Sequence, residues 1–193
     1  MTTKDNIITL PHADLRKRSK RVGIINDEIR ELIKNMEAAT LDWENSRDHE
    51  VGVALAAVQI DSLLRVVVIR NNFDDKKDHT FMALINPEIT KLEGAVEEDF
   101  EGCLSVLDTY GKVPRYSKVK VKAQDADGRP VRINAEGFLA RVLQHEIDHT
   151  NGIVFVDHIK DKPEAFYRLT RSGKLESLQY DTDIKNSKSL WVD

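Results

Sequence analysis

The sequence predicts one α+β domain, and three observations carry that prediction. Apolar residues recur at spacings of three and four most clearly over two stretches, 26–44 and 136–150, so two helices are expected there. Short β-branched runs, divided by turn residues, occupy most of the chain between them. No internal repeat and no low-complexity linker interrupts the 193 residues, a length that suits a single domain over 1–193.

In chain order, a short helix is expected around 14–21. The helix 26–44 follows, with Ile29, Leu32, Ile33, Met36, Thr40 and Trp43 on one stripe and Asn26 or Asp27 capping its first turn. Residues 46–50 read as a polar loop. The run VGVALAAVQI at 51–60 is apolar but built from small side chains. It reads as a strand or extended turn where backbone approaches something closely. RVVVIR at 65–70 is a buried strand and FMALIN at 81–86 a second one, stopped at Pro87. Strands are expected again at 88–92 and at 118–123, where KVKVKA alternates strictly and must be wet on one face. ADGRP makes a turn, and 131–133 returns as a partner strand. The helix 136–150 ends at Gly152. IVFVDHI at 153–159 reads as extended. Beyond it, 161–193 is charged and weakly periodic, with a helix expected near 163–172 and a mobile tail.

Composition excludes several classes. The chain is 40% hydrophobic and 32% charged, which fits a globular domain with a charged surface. Its net charge of −4, from 29 basic and 33 acidic residues, lacks the basic excess of nucleic-acid or anionic-membrane binders. No apolar run approaches the roughly 18 residues of a membrane span. The first 20 residues lack the apolar core of a secretion signal, and Asp5 and Asp14 interrupt a transit-peptide pattern. A cytoplasmic location is expected. The single cysteine, Cys103, excludes an internal disulfide.

The chemistry concentrates in QHEIDH at 144–149. Histidines four apart share one helix face, so the imidazoles of His145 and His149 can reach one ion. Glu146 points about 100° round the helix, within reach of a water on that ion without having to ligate it. A catalytic metal needs a third protein ligand and an open position. Downstream, Asp157, Asp161 and Glu164 offer carboxylates, but nothing singles one out. Upstream stands EGCLS at 101–105 with the only thiol. The acidic run before Cys103 blunts it as a free nucleophile, whereas a bound cation holds the thiolate directly.

At this point the chain resembles the peptide deformylases, enzymes that remove the formyl group from N-formylmethionyl peptides. The residues that carry the likeness are GVALAAVQ at 52–59, against the pattern G-x-G-x-A-A-x-Q, then EGCLS at 101–105 and QHEIDH at 144–149, in the family's order. The likeness extends over about 7–160. It implies antiparallel and mixed β-sheets packed around a central metal-binding helix. It implies one divalent ion on Cys103, His145 and His149, often Fe(II), with zinc, nickel or cobalt able to substitute. It implies that a water activated by that ion attacks the formyl carbon, with Glu146 as general base and then acid. Gln59 and the Leu104 N–H stabilise the oxyanion. Glu101, Gly102 and Ser105 surround the thiolate, and Asp148 pairs with Arg115. Phe138, Val142 and Val53 line a methionine pocket, with Gly52, Val53, Ala54 and Leu55 offering extended backbone to the peptide. The expected partners are N-formylmethionyl nascent chains, with transient ribosome contact, no nucleic-acid readout, no membrane and a monomeric state, in a bacterial-type cytoplasm.

Three departures stand out. Ala54 replaces the second glycine, which matters if φ must be positive there. Tyr110 stands where many relatives carry arginine. Arg141 sits beside the pocket face and is expected as a charged rim that alters side-chain preference. Rival readings are a peptidase using a downstream carboxylate, a deformylase-like binding protein without turnover, and a structural metal domain.

Overall fold

The computed structural model describes residues 2–47 and 49–191. Of the polar loop expected at 46–50, Asp48 lies outside the described residues, as do Val192 and Asp193 of the tail. The described residues form two α-helices and a seven-stranded antiparallel sheet. The helices are α1 (Asp27–Asn45) and α2 (Gly137–Thr150). The strands are β1 (Ala54–Ala56), β2 (Val66–Arg70), β3 (Phe81–Cys103), β4 (Val106–Gln124), β5 (Pro130–Glu136), β6 (Phe166–Leu169) and β7 (Leu175–Ser177). Their order is β1-β2-β3-β4-β6-β7, and β5 also pairs with β4.

Strand β2 explains the layering. All five of its residues are buried, and the period of two divides them between two cores. Val66 and Val68 join Ile29, Ile33, Met36 and Trp43 of α1. Val67 and Ile69 join Leu143 and Ile147 of α2. A short β-branched run buried on both faces reads as continuous apolar sequence, as expected. Asn26 caps α1 as expected, its side chain accepting from Ile29 N at 3.2 Å. Helix α2 ends in a Schellman motif: Ile153 N donates to Asp148 O at 3.0 Å and Gly152 N to His149 O at 3.1 Å. Gly152 has φ +77°, and a Cβ there would lie 2.5 Å from Arg16 O, so no other residue fits.

Several elements differ from expectation. The strand beginning at Phe81 does not stop at Pro87 but runs to Cys103. A bulge absorbs the proline: the register shifts between Ile85 and Glu88, and Asn86 takes φ 54°. The Asn86 side chain then pairs with Val22, accepting from its N at 2.8 Å and donating to its O at 2.9 Å. The helix expected at 14–21 is only a 3-10 turn, Ala13–Arg16. The extended segment expected at 153–159 contains a 3-10 turn, Phe155–His158, held by Asp157 Oδ2 accepting from Val154 N at 2.8 Å.

The expected helix near 163–172 is a 3-10 turn, Pro163–Ala165, followed by β6. Residues 109–111 of β4 present an open backbone edge, and β6 pairs with it. The tail, expected to be mobile, folds back. It adds β7 and a π-helical turn, Tyr180–Ile184, and it buries Ile184 and Leu190 with Leu15, Phe155 and Phe166 in a third core.

Candidate metal centre

Three pieces of chain meet at the site. Strand β3 delivers Cys103 at its end, α2 delivers His145, Glu146 and His149, and a 3-10 turn, Ala57–Ile60, delivers Gln59. Donor atoms of Cys103, His145 and His149 lie within 4.8 Å of one another. Cys103 Sγ is 3.2 Å from His149 Nε2. The two imidazole rings stand edge to face, their centroids 4.9 Å apart. One thiolate and two imidazole nitrogens suit a divalent transition ion, and three protein ligands leave a position open for chemistry. The residues present fit the metal that the motifs imply.

His145 Nδ1 lies 2.8 Å from Glu101 Oε2, which fixes the ring and leaves Nε2 for the ion. Burial opposes charge on both imidazoles. At His149 it prevails and holds the ring well below the usual histidine range, neutral as ligation requires. At His145 the Cys103 thiol and the Glu101 carboxylate outweigh burial and raise it. Burial alone would push the Glu101 carboxyl up. Hydrogen bonds from His145 and then Arg115 outweigh it and hold Glu101 well below the usual carboxylate range. Arg115 binds Glu101 through Nε at 2.9 Å and Nη2 at 3.1 Å, and its Nη1 reaches Asp148. The expected Asp148–Arg115 pair is therefore present. His158, which sequence reasoning missed, joins it with Nε2 at 2.7 Å from Asp148 Oδ2.

Glu146 is buried, and its Oε2 has no hydrogen-bond partner among the described residues. Burial pushes its carboxyl up to about 7. A carboxyl poised near neutrality both takes and returns a proton readily. Gln59 is oriented at both ends. Its Oε1 accepts from Ala56 N at 2.8 Å, and its Nε2 reaches Ser105 Oγ at 3.1 Å and Cys103 Sγ at 3.5 Å. Its amide N–H donors therefore face the thiol.

A cavity of about 310 Å³ opens beside these groups, bounded by Val53, Ala54, Gln59, Leu104, Phe138, Arg141, Val142 and Glu146 among others. Strand β1 ends the sheet order, so among the described residues no strand pairs with its second edge. Ala54 lies in extended β1 and is not among the positive-φ residues, so an alanine serves there without strain. Gly52 and Leu55 do not line the cavity. Leu55 is fully buried in the α1 core. Gly52 N donates to Glu44 Oε2 at 2.8 Å, and a Cβ at 52 would meet Thr40 O at 2.7 Å. Gly102 is small because the Tyr110 ring covers it, 2.5 Å from where a Cβ would stand. Tyr110 donates in turn to Glu50 Oε1 at 2.6 Å.

The expected rim charge at Arg141 needs correction. Its side chain borders the cavity, but its guanidinium turns inward and is buried against Glu101 and the β3–β4 backbone. Gln144 was also missed, although it opens the QHEIDH motif. Its amide pins α2 to β4, donating to Tyr116 O at 2.8 Å and accepting from Tyr116 N at 3.1 Å. A motif letter with no chemical task in the reaction was its only sequence signal.

The polypeptide deformylase family model matches residues 4–165. A peptide deformylase of Thermomicrobium roseum is 41% identical over 164 residues, 83% of this chain and 89% of that protein. One from a Synechococcus species is 38% identical over 180 residues, 93% of this chain and 83% of that protein. Among solved structures, a peptide deformylase of Legionella pneumophila is 42% identical with a TM-score of 0.71, covering 82% of this chain and 86% of that one. One of Synechococcus elongatus, in complex with actinonin, is 36% identical with a TM-score of 0.73, covering 81% and 80%. The match spans every residue that builds the metal centre, and on that ground the chain belongs to the polypeptide deformylase family.

Proposed function

We infer that the protein is a metal-dependent hydrolase that removes the N-formyl group from N-formylmethionyl nascent peptides and releases formate. The observation that carries this reading is the buried carboxylate of Glu146, whose Oε2 has no partner among the described residues, standing beside the Cys103, His145 and His149 donors at the wall of an apolar-sided cavity. Bound to those donors, a divalent ion supplies Lewis acidity to a water and to the formyl oxygen.

The chain's own residues do the rest. Glu146 takes the proton of the attacking water and returns it to the departing amine nitrogen. The Gln59 amide and the Leu104 backbone N–H receive the developing oxyanion, a contribution worth about 3 kcal/mol per donor in comparable sites. The methionine side chain enters between Val53, Phe138 and Val142, and an unbranched thioether suits such a slot. The free edge of β1 offers backbone groups to the peptide as an added strand. Glu101 and Arg115 hold His145 in the right tautomer, and Ser105 holds Gln59.

The finer reading rests on the likeness to the family: Fe(II) as resident ion with zinc, nickel or cobalt able to replace it, a monomer, a cytoplasmic location, and transient contact with the ribosome. No helix among the described residues is long and apolar enough to cross a membrane. The test is formate release from a short N-formylmethionyl peptide by protein loaded anaerobically with Fe(II) or Ni(II). Glu146→Ala is expected to lose about 10²- to 10⁴-fold in rate while retaining its metal. Metal at one equivalent with no release by the wild type would move the reading to a deformylase-like binding protein.

A further inference from the structure

Arg141 lies on α2 one turn before His145, and its side chain is 8% exposed. Nη1 donates to Glu101 Oε1 at 2.9 Å, to Val113 O at 2.7 Å and to Asp99 O at 3.3 Å, and Nη2 donates to Glu97 O at 2.8 Å. Glu97 and Asp99 belong to β3, which ends at Cys103, and Val113 belongs to β4. One guanidinium thus joins the helix that carries both histidines to both strands of the hairpin that carries the thiol.

We propose that Arg141 is a positioning residue, a strut that sets the Cys103 arm of the metal centre against the His145–His149 arm and, through Glu101, aims the His145 ring. This rests on the reading of the site as a metal centre.

Two observations separate this role from ordinary packing. First, the hairpin ladder does not by itself place the thiol. The β3–β4 register shifts between Glu93 and Val96 and again between Glu101 and Cys103, so the segment gripped by Arg141 is bounded by irregularities on both sides. Second, the other side-chain ties of α2 to this hairpin go elsewhere. Gln144 holds Tyr116 on β4, Asp148 holds the Arg115 side chain, His145 holds the Glu101 side chain, and His149 meets the Cys103 thiol, its fellow metal donor. Among the described side-chain hydrogen bonds, only those of Arg141 run from α2 to the β3 backbone ahead of Cys103. Arginine suits this because its planar fork serves several fixed acceptors at once, which neither lysine nor an aliphatic side chain does.

The experiment compares wild type, Arg141→Met and Arg141→Lys. Methionine keeps much of the volume and removes every donor. Lysine keeps the charge and is a fallback if methionine does not fold. Each protein is loaded with Co(II) or Ni(II). The readouts are the rate of metal release to excess chelator, the Co(II) ligand-field and thiolate charge-transfer bands, the unfolding midpoint of metal-free protein, and kcat and KM on a formyl-peptide. Expected for methionine are release about 10- to 100-fold faster, shifted Co(II) bands and a fall in kcat with KM within about twofold. Lysine is expected to fall between methionine and wild type. Wild-type release and bands, whatever the unfolding midpoint, would overturn the strut. A rise in KM with unchanged release would instead make Arg141 a substrate contact. Wild type that binds one ion yet releases no formate would sink the activity, while the release rates and bands still decide the strut.

Discussion

Among the described residues, two buried carboxylate–guanidinium centres are built from the same groups and wired differently. Under α1, Glu44 faces Arg70 in a closed pair, Nη1 at 2.8 Å and Nη2 at 3.3 Å, and one carboxylate oxygen also accepts the Gly52 N–H. Under α2, Glu101 takes Arg115, Arg141 and His145 together, and the chain of contacts runs on through Asp148 to His158. The closed pair balances one charge with one and anchors the start of the cavity edge. The open network holds a candidate metal donor, His145, and spreads its charge over five further groups. Buried ion pairs are weak evidence of stability by themselves. What each one orients decides what its loss removes.

The sharpest way to break the contrast is to neutralise each carboxylate in turn. Glu101→Gln should have the largest effect. It leaves the buried Arg141 without its carboxylate and Arg115 with Asp148 alone, a cost of about 3–5 kcal/mol. It should also weaken metal binding about 10- to 100-fold. Denaturant unfolding and a metal titration would check the two parts. Glu44→Gln should cost a similar roughly 3–5 kcal/mol, because Arg70 is then buried alone, yet leave metal affinity near wild type. Equal losses of metal affinity in both variants would erase the distinction.

A pH series on metal-free protein sharpens it from inside the site. The folded Glu146 carboxyl is pushed up to about 7 by burial, against about 4.3 in an unfolded chain. A raised folded value means stability that is complete below about pH 4.3 and declines as pH rises to about 7, by roughly 4 kcal/mol in all. Glu146→Gln should flatten the curve over that window. Equal slopes for wild type and Glu146→Gln between pH 4 and 8 would show that water reaches the carboxylate.

The smallest expected effect tests the closed pair's neighbour. Gly52→Ala places a Cβ 2.7 Å from Thr40 O. The overpacking should cost about 1–3 kcal/mol in unfolding free energy, with KM raised more than metal release. No change in either would mean that α1 shifts freely against β1.

How far the fold could be read from sequence follows the range of the interactions involved. Both helices were legible because their stripes and caps are local: Asn26 caps α1, and Gly152 closes α2. The single-domain organisation remains an expectation from length and pattern. The elements misjudged at 87, 163–172 and the tail depend on partners far along the chain. Pro87 is tolerated because a bulge turns it out of the ladder, and β6 exists because 109–111 leave an edge to fill.

The site divides in the same way. The metal donors and Glu146 could be named in advance, because ligation and proton transfer restrict residue types and helix geometry restricts their spacing, whereas Gln59 was named only through the resemblance to the deformylases. Charge and burial at Arg141 could not. An arginine near an apolar pocket reads as a rim, and only the folded hairpin reveals four acceptors waiting inside. The sequence by itself determined which residues are candidates for the chemistry. Tertiary structure decided how they are held, because the holding groups, Glu101 against His145, Ser105 against Gln59 and the strand carbonyls against Arg141, lie far apart along the chain and only the fold brings them into place.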